Sequence, residues 1–172
     1  VRDPHKKEVM RLVHEGFEEE WINSDVQQVF GGALDLAQVL DDGGQPLVLF
    51  ESGAILVYLA EKSGSPLLPA EPAARYETLQ WLMFQMGGVG PMFGQVGFFH
   101  KYGGKDFEDK RPRDRYVNES KRLLGVLEAR LKGRQWIMGD QFTIADIAIW
   151  PWVRNMVLET GYNAASLLGW NE

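Results

Sequence analysis

Glu51 and Ser52 are adjacent polar residues where an apolar run predicted to be a strand, residues 46–50, meets a predicted helix, residues 51–62. The first amide groups of a helix have no partner within it, and the helix dipole is positive there, so they can bind a carboxylate or a phosphate. Glu51 adds an acceptor that suits an ammonium group, so the pair could hold both charged ends of an amino-acid-like ligand. The alternative is structural, with Ser52 as a helix cap and Glu51 as a carboxylate near the dipole.

Other residue types with chemical potential form weaker patterns. His5, His14 and His100 are isolated, without a second histidine four residues on or carboxylates that would complete a metal cluster, so we expect no metal site. The run Glu18–Glu20 is typical of a solvated face rather than of an acid–base pair. The glycine-rich run 87–90 lacks the lysine and the hydroxyl of a phosphate loop, and it favours close helix packing.

The composition narrows the chemistry further. The 172 residues are 45% hydrophobic and 24% charged, which is typical of a globular protein with a substantial core. The net charge of -6 makes nucleic acid an unfavourable partner. The sequence contains no cysteine, so any thiol chemistry must use sulfur from a ligand. No apolar stretch approaches the roughly 20 residues of a membrane span, and we expect a soluble, cytoplasmic protein.

The elements that must position Glu51 and Ser52 are short. The apolar runs 36–40 and 46–50 flank Asp41-Asp42-Gly43-Gly44, which is turn chemistry and predicts a hairpin. Upstream, the pattern predicts a helix from His5 to about Glu15 and a possible strand from Phe17 to Ile22.

The rest of the chain is predicted to be helical. The Pro-rich segment 65–72 reads as a connector between two domains. Beyond it, apolar spacing predicts a helix from Ala73 to Met86 that Pro91 kinks or restarts, and a second from Asp114 to Lys132. A third helix, from Ile144 to about Leu158, follows Thr143 and Asp146, whose spacing predicts an N-terminal cap, and it contains Pro151.

Three sequence tracts carry a resemblance to a known family. The segment 51–62, which reads ESGAILVYLAEK, resembles the Glu-Ser-x-Ala-Ile helix of the glutathione S-transferase superfamily. The segment 80–92, QWLMFQMGGVGPM, is similar more narrowly to the bacterial Nu-class transferases and their yeast prion-protein relatives, which act on disulfides using bound glutathione. The segment 143–152, with its TIADI and WPW motifs, resembles the capped helix of the superfamily's C-terminal domain.

This resemblance implies a glutathione transferase fold. An incomplete α/β thioredoxin-like domain would span residues 1–66, and an all-α C-terminal domain, itself truncated, would span residues 72–172. The implied activity is that of a glutathione-dependent transferase or disulfide-bond oxidoreductase that uses bound glutathione as its thiol and needs no metal. The partners would be a small disulfide or electrophile and a second copy of the chain. A non-catalytic binding or regulatory protein of the same fold is the alternative.

The resemblance also assigns binding residues. Glu51 and Ser52 match the pair that binds the γ-glutamyl group, and Arg115 matches an arginine that reaches a glutathione carboxylate, unless it forms a surface ion pair with Asp114 or Glu119. Asp3 and Lys6 are further glutathione-binding candidates.

No catalytic residue is assigned, because the N-terminus departs from the family pattern. Val1 and Asp3 stand where the family has a thiolate-activating hydroxyl and an asparagine, and Ala37 stands at the family's cis-proline position. We therefore expect the chain to omit segments of a longer native protein.

Overall fold

The computed structural model describes residues 37–40 and 46–169. The predicted helix from His5 to Glu15, the predicted strand from Phe17 to Ile22 and the predicted turn 41–44 lie outside the described residues. The chain divides into two compact units, residues 1–65 and residues 66–172.

The described part of the first unit is a hairpin followed by a helix. Strands β1 (Ala37–Leu40) and β2 (Pro46–Leu49) are antiparallel, with Ala37 opposite Leu49 and Leu40 opposite Pro46. Helix α1 (Ser52–Lys62) follows β2 almost at once and buries Ile55 and Ala60. It ends where Gly64 takes a φ of 60°, a left-handed conformation that glycine adopts without strain. The predicted hairpin and helix are confirmed.

The second unit consists of helices. Their bounds are α2 (Pro72–Phe84), a π-helical segment (Gln85–Val89), α3 (Gly90–His100), α4 (Arg111–Leu131), α5 (Ile144–Val157) and the short α6 (Ala165–Leu168). In the described part of the chain, no helix combines the length and the apolar character needed to cross a membrane.

Of the two effects predicted for Pro91, a kink or a restart of the helix, the structure shows the restart. The regular hydrogen bonding of α2 ends at Phe84 and passes through the π segment, and α3 begins at Gly90 with Pro91 in its first turn. Pro91 falls where its missing N–H costs no intrahelical bond, so it marks a helix start rather than a bend.

Close contact between α3 and α5 depends on glycine. A Cβ atom added to Gly90 would lie 3.3 Å from the Trp152 ring of α5, and one added to Gly97 would clash with the Tyr162 ring, in the loop that follows α5. Around these contacts the core is built from the interior faces of α3, α4 and α5, including Phe93, Val96, Leu123, Leu127, Ile149 and Met156. In the run 87–90, Gly88, Val89 and Gly90 take part in this packing, as its composition indicates, whereas Gly87 is exposed.

Helix α4 begins three residues before its predicted start, at Arg111. Pro112 lies in its first turn, where the fixed φ of proline suits a helix start, and the sequence interpretation overlooked this signal. The predicted cap of α5 is confirmed as a capping box between Thr143 and Asp146. Asp146 also accepts a hydrogen bond of 2.8 Å from the Ile137 amide, which ties the preceding loop to the helix start.

The Pro-rich segment is packed against the second unit. Leu68 is only 6% exposed, and the Leu67 carbonyl accepts a hydrogen bond of 3.0 Å from the Ile144 amide. The Gln141 side chain donates a hydrogen bond of 2.6 Å to the Pro66 carbonyl. The segment is therefore the start of the helical unit rather than a solvated linker. The buried Leu68 packs in that unit, and the Leu67 carbonyl binds the first turn of α5.

Candidate functional site

The first candidate site lies at the start of α1. Glu51 precedes the helix with a φ of 70° and a ψ of 112°, backbone angles that residues with a Cβ rarely adopt. Such a conformation costs on the order of 1–3 kcal/mol and is found most often at functional sites. The Glu51 side chain is exposed and makes no capping hydrogen bond with the helix. Its carboxylate is therefore accessible to a ligand.

The amide groups that follow Glu51 form the positive end of the helix. The first bond of the α1 ladder runs from the Ile55 amide to the Glu51 carbonyl, at 3.0 Å. The amides of Ser52, Gly53 and Ala54 therefore precede the ladder and are oriented toward the N-terminal end of the helix. This arrangement suits an anion, as the sequence predicts.

The structural alternative for Ser52 is wrong. Ser52 is the first residue of α1, and the cap position belongs to Glu51. The Ser52 side chain is half-buried. Its hydroxyl therefore lies in the first turn, beside the amides that could bind an anion, rather than before them.

Arg115 forms the second candidate site, on the exposed side of α4. The two carboxylates that could have held it in surface ion pairs are paired with other arginines. Asp114 binds Arg113 at 2.7 Å, and Glu119 binds Arg122 at 2.7 Å. Among the described residues, Arg115 makes no ion pair, so its guanidinium can bind a carboxylate on a ligand with two parallel hydrogen bonds.

The charges around Arg115 agree with this arrangement. The pKa of the Glu119 carboxyl lies below its ordinary value, mainly because Arg122 donates hydrogen bonds to it, while burial opposes the effect and the Arg122 and Arg115 charges contribute further. Arg115 thus acts on Glu119 only through its field. Beside it, the Tyr116 ring stacks on Phe99 with 5.7 Å between ring centroids, which joins this turn of α4 to the end of α3.

The predicted site residues fall in different parts of the chain. Glu51 and Ser52 belong to the first unit and Arg115 to the second, and each site is described within its own unit. Asp3 and Lys6 lie outside the described residues. Within residues 37–40 and 46–169, no group of three His, Cys, Asp or Glu side chains could hold a metal ion.

The sequence interpretation missed two polar centres in the second unit. The Lys101 ammonium donates to the carbonyls of Glu159, at 3.0 Å, and of Gly161, which fastens the end of α3 to the loop after α5. The Arg130 guanidinium donates to the Ile137 carbonyl, at 2.7 Å, and to the Glu77 carboxylate, at 2.6 Å. Nothing in the sequence distinguishes these two cations from surface ones, because their partners are distant in the chain.

Residues 111–162 match the family model described as "Glutathione S-transferase, C-terminal domain". The chain is 50% identical over 112 residues to the disulfide-bond oxidoreductase YfcG of Escherichia coli strain K12, a match that covers 65% of this chain and 51% of YfcG. The chain therefore spans about half the length of this curated relative.

Solved structures extend the similarity. A glutathione transferase from Pseudomonas putida, with one glutathione disulfide bound per subunit, is 65% identical, with a TM-score of 0.77 over 84% of this chain and 61% of that one. A family member from Pseudomonas fluorescens Pf-5, with two glutathione molecules bound, is 57% identical, with a TM-score of 0.79 over 88% of this chain and 66% of that one. A glutathione transferase homolog from Lodderomyces elongisporus, with two glutathione molecules per subunit, is 31% identical, with a TM-score of 0.67 over 88% of this chain and 74% of that one. With a similarity of this extent, the chain belongs to the glutathione transferase family.

Proposed function

We propose that this protein is a glutathione-dependent disulfide-bond oxidoreductase. The observation that carries the proposal is the start of α1, where the exposed, strained Glu51 and the first amides of the helix present an acceptor and an anion site side by side. The ammonium and α-carboxylate of a γ-glutamyl group need this combination. The 50% identity to a disulfide-bond oxidoreductase supports the choice of reaction.

The proposed reaction is thiol–disulfide exchange between ligand sulfurs. The thiolate of one glutathione attacks a sulfur of the substrate disulfide, forms a mixed disulfide and releases one substrate thiol. A second glutathione attacks the glutathione sulfur of the mixed disulfide, so that glutathione disulfide forms and the second substrate thiol leaves. Because the chain has no cysteine, the protein contributes binding and orientation rather than a sulfur of its own.

The binding roles follow the chemistry of each side chain. Glu51 accepts hydrogen bonds from the γ-glutamyl ammonium, and Ser52 with the neighbouring amides binds the γ-glutamyl carboxylate. Arg115 binds a further carboxylate of glutathione, which its freedom from ion pairs among the described residues supports. Asp3 and Lys6 remain predictions for the same ligand.

Calorimetric titration with glutathione and with glutathione disulfide tests these roles. Ser52→Ala and Arg115→Ala should each weaken binding about tenfold, the effect of losing one charge-assisted hydrogen-bonding group. Ser63→Ala is the matched control for the first, since Ser63 lies at the other end of α1. Arg122→Ala is the control for the second, since Arg122 is exposed on the same helix but paired with Glu119. Equal effects of a variant and its control would contradict the assigned role.

A steady-state assay separates the enzyme from a non-catalytic binding protein of the same fold. Reduction of 2-hydroxyethyl disulfide by glutathione, coupled to glutathione reductase, should proceed above the uncatalysed rate and should slow in Ser52→Ala. The binding protein stays the alternative because Val1 and Asp3 stand where the family has a hydroxyl and an asparagine. Saturable glutathione binding without turnover would establish that alternative.

We also propose that the protein is a homodimer that uses α2 and the π segment. Tyr76 and Met83 are 71% and 56% exposed, and with the exposed Gln80 and Gly87 they recur at helical spacing along one face. No Asp, Glu, Lys or Arg occurs from residue 78 to residue 99, so this face carries little charge. Such an exposed apolar stripe is typical of a protein–protein interface.

Light scattering after size exclusion tests the dimer. The expected mass is twice the 19.5 kDa of one chain. Met83→Lys should shift the protein toward the monomer, because a charge in the interface must be desolvated, whereas Ala129→Lys, at an exposed position of α4, should not. A wild-type monomer at micromolar concentration would contradict the proposal. We place the enzyme in the cytoplasm, where glutathione is kept mostly reduced.

A further inference from the structure

Two buried polar atoms on one face of the helical unit lack protein partners. They are the indole Nε1 of Trp81, in α2, and the side-chain oxygen Oε1 of Gln85, in the π segment. Gln85 is only 4% exposed, and neither atom has a hydrogen-bond partner in the described part of the chain. Leaving a buried polar atom without a partner is unfavourable, because its hydrogen bonds to water are lost and not replaced, so native proteins satisfy nearly all such atoms.

The other buried polar side chains of this unit show how strictly that rule holds. Thr78, one turn before Trp81, donates a hydrogen bond of 2.8 Å to the Ala74 carbonyl. Asp146 accepts from Ile137 and from Thr143. The Ser120 hydroxyl, on α4, also lacks a partner in the described part of the chain. No second unpartnered polar atom is found among the described residues of that helix.

The two orphan atoms are chemically complementary. An indole N–H can only donate, and an amide oxygen can only accept. Residues four apart on a helix have Cβ atoms about 5–6 Å apart on the same face, so the two side chains start from neighbouring positions. One small molecule that accepts one hydrogen bond and donates another would satisfy both.

Both side chains are held in place by packing. The Arg130 guanidinium lies 5.2 Å from the centre of the Trp81 ring, and Phe84 contacts the same ring edge-to-face at 5.5 Å. Gln85 lies against Gly90, because a Cβ atom added to Gly90 would be 2.8 Å from the Gln85 side-chain nitrogen. The glycine thus makes room for the amide. Single-turn π segments inside α-helices are frequently found at functional sites.

We propose that an ordered water molecule is bound between Trp81 and Gln85, accepting from the indole N–H and donating to the amide oxygen. Its second hydrogen can go to a carbonyl of the π segment, since a backbone carbonyl oxygen has two lone pairs. The water then makes three hydrogen bonds, the usual number for a buried water in a protein. This site holds the turn from α2 to α3 in its π-helical form.

Water-selected NMR on the full 172-residue chain tests the site directly. A cross-peak between the Trp81 indole proton and water, with the sign of a long-lived contact, is expected in paired NOE and ROE spectra. Trp81→Phe, or triple-resonance assignment if that variant does not fold, identifies the peak. Trp150, which is 63% exposed, is the control for exchange with bulk water. A folded protein whose Trp81 indole proton shows no water contact overturns the proposal.

Gln85→Met provides a second measurement. It keeps the length of the side chain and removes the acceptor, so the water cross-peak of Trp81 should be lost. Trp81→Phe combined with Gln85→Met should lower the denaturant midpoint by less than the sum of the two single shifts. Either substitution alone removes one of the hydrogen bonds that hold the water, so the second substitution has less binding to remove. Additive shifts, or a cross-peak that survives Gln85→Met, would overturn the bridge.

Discussion

Replacing Asp146 by alanine should destabilise the helical unit severely. The carboxylate is 8% exposed, and its two oxygens serve both ends of one loop. Oδ1 accepts from the Ile137 amide at 2.8 Å. Oδ2 accepts from the Thr143 amide at 2.9 Å and from the Thr143 hydroxyl at 3.1 Å. Alanine leaves both amides buried with no acceptor from residue 146.

The magnitude follows from those amides. Each buried donor without a partner costs about 1–3 kcal/mol, and loss of the helix cap is part of the same cost rather than an addition to it. With two such amides, Asp146→Ala should therefore lower the free energy of unfolding by about 2–6 kcal/mol. That is a large part of the roughly 5–15 kcal/mol by which natural domains are stable. Asp146→Asn, which keeps one carbonyl oxygen, should lose about half as much.

Urea unfolding followed by far-ultraviolet circular dichroism measures this loss. Asp140→Ala is the matched control, since Asp140 is exposed and close by in the same loop, and it should shift the midpoint very little. A loss below about 1 kcal/mol for Asp146→Ala would refute the reasoning, because it would mean that the loop supplies other acceptors at no cost.

Three further predictions use the same unfolding measurement. Gly97→Ala should destabilise by about 1–3 kcal/mol because its Cβ would clash with the Tyr162 ring, whereas Gly125→Ala, with no described atom within 4 Å, should be neutral or stabilising. Hydrogen bonds from the Ala74 and Ala73 amides lower the pKa of the Glu71 carboxyl, so its stabilisation is present above the unfolded pKa and is lost as pH falls through the folded pKa. Glu71→Ala should therefore make stability depend less on pH in acid. Burial, and to a lesser extent the Tyr102 charge, raises the pKa of Tyr162, while a hydrogen bond with Asn155 lowers it. The stability present below about pH 10 is therefore lost as pH rises further, and Tyr162→Phe should make stability depend less on pH in alkali. Unchanged pH profiles in either variant would contradict these assignments.

Local signals explain what the sequence predicted well. The hairpin and α1 were predictable because two apolar runs, a turn of Asp and Gly between them, and Gly64 as a helix stop each act over a few residues. The cap of α5 was predictable for the same reason, since Thr143 and Asp146 are three residues apart.

Features that depend on distant packing were not predictable. The π segment between the two helices was not predicted, and no local pattern encodes the contact of Gly90 with Trp152, a residue 62 positions later. Arg115 illustrates the same limit at the candidate site. The carboxylates of Asp114 and Glu119 are close to it in sequence, and only the structure shows that they pair with Arg113 and Arg122.

Glu51 is a position where stability and function pull in different directions. Its φ of 70° would suit glycine, and a glycine there would relieve strain on the order of 1–3 kcal/mol. The chain nevertheless carries a glutamate whose exposed side chain makes no capping hydrogen bond with the helix. The strained Glu51 backbone is thus not offset by a capping hydrogen bond from its side chain. This favours a ligand as the partner of the carboxylate. Under the proposed function, a chain without cysteine positions the thiol of its ligand by binding the charged groups of that ligand, and Glu51 is suited to bind one of them.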